Sequence, residues 1–280
     1  MTLETLTVAP CQYELTGSAS ISELCDRATT LLSTAGPADV YVFPELFAVD
    51  AHDSPEADPS NLVLTDADVS ELHAWCQETA GEQDAVVVGG SYYVDDDGIR
   101  NRCPISTPDG TLETYDKAHP IPNERDGSVV SGTTEPPLID FKGTTISALI
   151  CYDVEFPSTV RAVVDRGAEL IAVPSWTAGT AGFERVSRCS AARAVENQAY
   201  VVQSSLVGTH PRDPDSTATG RSAVYAPCDD VVGPHGTRLS LPRDEAAAAS
   251  CALDITGLKE SRERASVRPY TDVAEFDRPK

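Results

Sequence analysis

The chain has 280 residues, 44 acidic and 21 basic side chains, and a formal net charge of −23 at pH 7. With 41% hydrophobic and 23% charged residues it has the composition of a globular protein with a real core, not of a disordered one. The charge argues against nucleic acid and anionic membranes as partners, and no apolar run reaches the roughly eighteen residues of a membrane span. Met1 to Leu6 show no basic segment leading into an apolar one, so no leader is read and a cytoplasmic protein is expected.

Short apolar runs alternate with amphipathic stretches along the chain. Residues 5–9 read as a strand, and 20–33 as a helix with Ile21, Leu24, Cys25, Ala28, Leu31 and Leu32 on one stripe. A strand over 39–43 stops at Pro44, a helix is expected over 70–79, and the apolar strand 85–88 leads into Gly89-Gly90. A hairpin follows, 92–94 with 99–102, turning at Asp97-Gly98. Around Lys117 the chain reads as loop through Pro120, Pro122, Gly127 and Gly132. Strand 145–150, helix 157–166 with Pro at its start, strand 170–173, helix 184–197 and strand 199–203 complete the regular part. From 208 to 247 loops are expected around a short strand at 223–225. With no repeat and no linker, the pattern predicts one α/β domain over 1–280.

The acidity has a particular character. Lysine occurs at four positions, 117, 142, 259 and 280, against seventeen arginines and twenty-five aspartates spread along the chain. Lysine scarcity beside scattered aspartate favours a halophile's surface over ordinary acidity, because concentrated salt screens the self-repulsion. The eight cysteines are each fourteen or more residues apart, and the five histidines form no companion ligand pair. That spacing excludes a zinc site or a disulfide framework, so no metal is expected. No G-x-G-x-x-G follows the first strand, so no dinucleotide and no other cofactor is expected.

Three residues stand where chemistry is commonly placed. Cys151 follows an apolar strand and shortly precedes a helix, the kind of turn at which α/β enzymes expose a nucleophile beside backbone N–H groups. Glu45 lies just past the strand ending at Phe43-Pro44, where a partly desolvated carboxylate can take a thiol proton and later return it. Lys117, in Tyr115-Asp116-Lys117-Ala118-His119, offers a cation to lower a thiol pKa or hold an oxyanion. Taken singly, each is also readable as a core thiol, a loop acid or a surface lysine.

Together, Glu45 in F-P-E, Lys117 in Y-D-K-x-H and Cys151 in I-C-Y-D-x-E-F-P resemble the Glu-Lys-Cys signature of the nitrilase, or carbon–nitrogen hydrolase, superfamily, in its chain order. Gly89-Gly90-Ser91, Arg193-Ala194-Val195-Glu196-Asn197 and Gly220-Arg221-Ser222 with Pro227 are similar to three supporting motifs of that family. The resemblance implies an α-β-β-α sandwich that pairs through one helical face into a four-layer homodimer, with the segment from about 250 to 280 a tail at the dimer interface. It implies hydrolysis of a small-molecule amide to carboxylic acid and ammonia through a cysteine thioester. Glu45 would be the base, Cys151 the nucleophile, and Lys117 with the Tyr152 N–H the oxyanion donors. Glu124, seven residues past Lys117, matches the family's second glutamate and would orient substrate or support Lys117, while His119 would be structural.

The wording C-Y-D-x-E-F-P is closer to amidases than to true nitrilases, whose cysteine is usually followed by Trp-Glu. Ser158 and Ser175 depart from the family's usual Glu and Asn at those places, which bears on the substrate rather than on the triad. Tyr152, Glu155, Ser175 and Trp176 are the pocket candidates. N-carbamoyl amide hydrolysis, nitrile hydrolysis and a catalytically silent binding protein of the same fold stay open at this point.

Overall fold

The computed structural model describes residues 4–52 and 58–276; Met1–Leu3, on which part of the leader reading rests, and the last residues of the expected tail lie outside the described residues. The chain opens with β1 (Thr5–Gln12), a short β2 (Glu14–Leu15) and α1 (Ile21–Ala35), whose N-cap Ser20 accepts from the Glu23 N–H. β3 (Val40–Val42) follows, then α2 (Asp66–Gln83), which starts earlier than its apolar pattern suggests because Thr65 and Asp68 form a reciprocal capping box. After β4 (Val86–Val88), β5 (Tyr92–Asp95) and β6 (Ile99–Ser106) form the expected hairpin. Asp97 and Gly98 both take positive φ there, 52° and 109°, as a tight turn requires.

β7 (Leu112–Asp116) leads to α3 (Pro122–Asp126), a single helical turn inside the stretch read as loop. β8 (Ile139–Phe141), β9 (Thr144–Ala148), α4 (Pro157–Asp165), β10 (Leu170–Ser175), α5 (Thr180–Asn197) and β11 (Tyr200–Ser205) carry the second half. The region expected to be loops holds more strand than its Pro and Gly content suggests. It contains β12 (Val207–Thr209), β13 (Thr217–Ala218), β14 (Ala223–Tyr225), β15 (Thr237–Ser240) and β16 (Ala247–Ala248). β17 (Cys251–Asp254), α6 (Ile255–Arg264) and α7 (Pro269–Phe276) end the described chain.

Two sheets result. In the first, β1, β3 and β4 run parallel, with β16 and β17 antiparallel along β1 and the β5–β6–β7 meander closing the far side. The second has the order β15-β14-β11-β10-β9-β8, with β9, β10 and β11 parallel. The period-2 alternation of the strands decides what each face buries. Val40, Val42, Val86 and Val88 point into the core shared with the second sheet, while Tyr41, Phe43 and Val87 point the other way, into a core with α1 and α2. Strands buried on both faces are near-continuously apolar, as these are. α4 and α5 lie on the second sheet's side, so the layers run α-β-β-α.

The segment from residue 250 begins inside the fold. β17 pairs with β1 from Thr5↔Asp254 to Val8↔Cys251, and α6 follows with Ile255 and Leu258 fully buried. The polar, arginine-rich sequence after 258 hid this, because the burial is concentrated in Leu253, Ile255 and Leu258.

Candidate active site

Glu45 stands on a tight turn after β3. Leu46 takes a left-handed φ of 52°, and its N–H donates to Ser91 Oγ at 2.9 Å. Gly90, at φ +68°, packs so closely on this turn that a Cβ there would collide with the Pro44 carbonyl and the Phe47 ring. The Gly89-Gly90-Ser91 segment is therefore the mould for the turn that presents Glu45.

Lys117 lies just beyond β7. Its N–H donates to the Asn101 carbonyl at 2.8 Å, and its carbonyl accepts from Gly132 N–H at 2.8 Å. Its ammonium is 2.7 Å from Glu45 Oε1 and 2.7 Å from Glu124 Oε2. Asn101 Nδ2 donates to both carboxylates, at 3.0 Å to Glu45 and 2.8 Å to Glu124. Glu124 also accepts from Tyr93 Oη at 3.1 Å and from Ile121 N–H at 2.8 Å, so α3 begins on its own first-turn carboxylate.

Cys151 opens a 3₁₀ turn, Cys151–Glu155, between β9 and α4, and takes a left-handed φ of 44°. A non-glycine residue held there costs about 1–2 kcal/mol, and the surroundings must hold it. Asp153 does part of this: it accepts from Ile150 N–H at 3.1 Å, Tyr115 Oη at 2.9 Å and His119 N–H at 2.8 Å, and its carboxylate meets His119 Nδ1 at 2.9 Å. One aspartate thus ties the cysteine turn to the segment carrying Lys117. Arg193, buried on α5, donates to the Val154 carbonyl at 2.9 Å and the Glu155 carbonyl at 3.1 Å, and clamps the same turn from the other side. His119 also stacks on Phe156 at 4.0 Å between ring centroids.

The four side chains brought together, Glu45, Lys117, Glu124 and Cys151, are all nearly inaccessible to solvent, with exposures of 2–5%. Burial pushes the Cys151 thiol well above its ordinary pKa, and the hydrogen-bonded Glu45 carboxylate adds to the effect, so the resting group is a thiol. Burial also raises Glu45, against the pull of Lys117 and with help from Glu124. For Glu124 burial is outweighed by Lys117, Asn101 and the Ile121 N–H, which hold it below the usual glutamate value. For Lys117 burial is outweighed by Glu124 and Glu45, which keep the ammonium charged. Two chemically identical carboxyls are thereby separated, one fixed as an anion and one poised to accept a proton. Among the described residues, no group of three or more His, Cys, Asp or Glu side chains is arranged to hold a metal ion.

These groups form the floor of a cavity of about 210 Å³ whose walls include Leu46, Leu62, Tyr93 and Trp176. Trp176 is fixed by its indole N–H on the Thr217 carbonyl at 2.9 Å; its backbone N–H donates to Glu45 Oε2 at 3.0 Å, and its carbonyl accepts from the Cys151 thiol at 3.6 Å. The other pocket candidates lie off the lining. Tyr152 packs edge-on against Phe156, Glu155 faces Arg185 at 3.2 Å, and Ser175 is buried at the end of β10, donating to the Val173 carbonyl.

The sequence profile of the carbon–nitrogen hydrolase family matches residues 7–237. The chain belongs to that family. This carbon–nitrogen hydrolase of the nitrilase superfamily is 31% identical over 267 residues to the probable hydrolase YhcX of Bacillus subtilis, covering 93% of this chain and 52% of that protein. The chain therefore spans about half the length of that relative. It is 27% identical over 239 residues to the 2-oxoglutaramate amidase of the same species, covering 84% and 85% of the two chains. In fold it is similar to XC1258 of Xanthomonas campestris, a CN-hydrolase superfamily protein with an arsenic adduct in its active site, at a TM-score of 0.77 and 24% identity over 99% and 98% of the chains. Among its superfamily it is amidase-like, a hydrolase of carbon–nitrogen bonds.

Two polar side chains that hold Glu124 in this hydrolase's site are not evident from the motifs. Asn101 and Tyr93 face each other across the β5–β6 hairpin and both reach Glu124. The signal was the alternation of β6: Ile99, Asn101 and Cys103 share a face, so a polar side chain sits at a position whose neighbours are apolar. A buried polar residue at such a position requires partners.

Proposed function

We propose that this protein is an amidase that hydrolyses a small amide to a carboxylic acid and ammonia through a thioester on Cys151. The observation that supports it best is the Lys117 ammonium held 2.7 Å from each of two carboxylates on the floor where Cys151 lies. In this reading Glu45 takes the thiol proton as Sγ attacks the amide carbon, and the carbonyl π pair moves to oxygen. Lys117 and the Tyr152 N–H hold that oxyanion. As the C–N bond breaks, Glu45 gives its proton to the leaving amine. Glu45 then takes a proton from water, which attacks the thioester, and the departing thiolate recovers that proton. The raised pKa of Glu45 suits both directions of transfer, because a stronger carboxylate base is better matched to a thiol. Glu124 keeps Lys117 charged and placed.

The proposal extends to a homodimer built on the helical face, a cytoplasmic location and a surface adapted to salt. No helix among the described residues is long and apolar enough to cross a membrane. Rapid quenching with an amide followed by peptide mass analysis tests the chemistry. An acyl adduct on Cys151 is expected in the native enzyme and, formed more slowly, in Glu124→Gln. Glu45→Gln should form it about 10²–10⁴-fold more slowly. Normal acylation of Glu45→Gln, or ammonia release by Cys151→Ala, would overturn the assignment.

A further inference from the structure

We propose that the cavity above Cys151 selects amides whose far end is uncharged or cationic and rejects monoamides that carry a carboxylate, with Asp215 at the mouth setting the preference. The inference rests on the amidase reading and names the substrate class for the same site.

The charges of the lining set this selection. Glu45, Glu124, Lys117, Cys151 and Asp215 are its ionisable groups, and Lys117 is the one basic side chain among the described residues that line it. With Glu45 protonated the set carries about one negative charge, and with Glu45 ionised about two. No protonation state with Glu124 ionised makes it positive. Two of the three ammonium N–H groups of Lys117 go to the glutamates, each at 2.7 Å, and the amidase reading gives the third to the oxyanion, so none is left for a substrate carboxylate.

The cations nearest in sequence are otherwise engaged. Arg212 donates to the carbonyls of Ser18 and His52, and Arg125 to the carbonyl of Pro120; neither lines the cavity. The sequence has no Lys or Arg at all between Arg27 and Arg100, a span that supplies Glu45, Leu46, Leu62 and Tyr93 to the walls. A substrate carboxylate entering this space would lose water and gain no cation, which is unfavourable.

Asp215 supplies the positive half of the selection. It is exposed and lines the mouth with Ile121 and Asn123, opposite the buried floor. Its backbone is fixed by a turn built on Asp213, which accepts from the Asp215 N–H at 3.1 Å and the Ser216 hydroxyl at 2.7 Å. An ammonium at the far end of a short amide would meet this carboxylate while the amide meets Cys151. The relative named for 2-oxoglutaramate has a substrate with a carboxylate, so this lining marks a difference in specificity from it.

The test uses three amides of matched length: butyramide, 4-aminobutyramide and succinamate, assayed for ammonia release at 0.1 M salt. The neutral and cationic amides should exceed succinamate by about tenfold or more in kcat/KM. Asp215→Asn should narrow the ratio of cationic to anionic amide by about threefold, the scale of an exposed charge, and Asp215→Lys should narrow it further. A second measurement does not depend on turnover. Cys151 is labelled with 2-aminoethyl or 2-sulfonatoethyl methanethiosulfonate, each rate taken relative to 2-mercaptoethanol. The cationic reagent should lead, by a margin that shrinks in Asp215→Asn.

Succinamate cleaved as fast as the other two, or equal labelling by both reagents, overturns the charge selection and leaves the amidase reading standing. Ratios unchanged in Asp215→Asn remove Asp215 as their source. No ammonia from any amide, with the labelling preference intact, overturns the amidase reading and keeps the selection.

Discussion

Asn101 pairs with Tyr93 across the β5–β6 hairpin, and both side chains end on one atom, Glu124 Oε1, at 2.8 and 3.1 Å. Asn101 alone reaches onward to Glu45, at 3.0 Å, so one amide group couples the carboxyl that is held ionised to the carboxyl that is poised to accept a proton. Tyr93 and Asn101 thus make the hairpin a scaffold for the charge arrangement around Lys117.

Removing that amide should be visible in the pH profile. A donor to a carboxylate favours its charged form, so Asn101→Ala should raise the pKa of both glutamates and move the acid limb of kcat/KM upward. Losing two charge-assisted hydrogen bonds should lower kcat/KM by about ten- to hundredfold. Asn101→Asp, which adds a third carboxylate, should be worse still. A rate loss with an unmoved acid limb would show that Asn101 merely packs there.

The two glutamates should affect stability with opposite signs. Glu45 has a raised pKa in the folded state, so folding favours its proton, and the ionised group opposes folding as pH rises above the unfolded value near 4.5. Glu124 has a lowered pKa, so it contributes stability above that value and loses it as pH falls through the folded one. At pH 7, Glu45→Gln should therefore raise Tm while lowering activity, and Glu124→Gln should lower Tm. Thermal melts at pH 7 decide it, and a lower Tm for Glu45→Gln reverses the electrostatic account.

How much of this was legible in the sequence follows from what each position depends on. Glu45 and Cys151 could be found because each sits at the end of an apolar strand, and Lys117 because it lies in a recognisable local motif. Tyr152, Glu155 and Ser175 sit equally close to the motif, yet the 3₁₀ turn after Cys151 and the fixed end of β10 direct them away from the cavity lining. Asp215 and Ser216 reach the lining from a Pro- and Asp-rich stretch with no periodicity, where only tertiary contacts decide placement. α3 is hard to tell from loop because a five-residue helix carries too little pattern to register, although its Pro122 start and Glu124 capping are ordinary helix signals.

Arg193 should matter to both stability and rate without touching substrate. It is 6% exposed and donates to two carbonyls of the Cys151 turn and to Glu196. Arg193→Ala leaves the Val154 and Glu155 carbonyls short of donors, which costs about 3 kcal/mol. The loosened turn should also lower kcat more than it raises KM, because the left-handed backbone at Cys151 loses its clamp. Arg193→Lys should recover part of the Tm, since one donor can still reach. Native Tm and kcat in Arg193→Ala would show that the turn holds itself.

Salt should act first on α2. This helix carries Asp66, Asp68, Glu71, Glu78 and Glu82 with no Lys or Arg, and Asp84 caps its C-terminus. The acids in the first turn suit the helix dipole, but Glu82 and Asp84 oppose it at the other end, and like charges along one exposed face repel. Across the molecule the imbalance is −23, with four lysines to offset it. The Debye length falls from about 10 Å at 0.1 M to about 3 Å at 1 M, so molar salt removes most of this repulsion. Excluded salts also strengthen apolar burial, on which the inner face of α2 depends through Leu72, Trp75 and Cys76. Tm and amide hydrolysis should both rise between 0.1 and 2 M KCl (roughly the range over which screening saturates), and hydrogen exchange should slow in α2 before it slows in the strands of either sheet. A flat thermal melt over that range would reduce the acidity to ordinary surface charge.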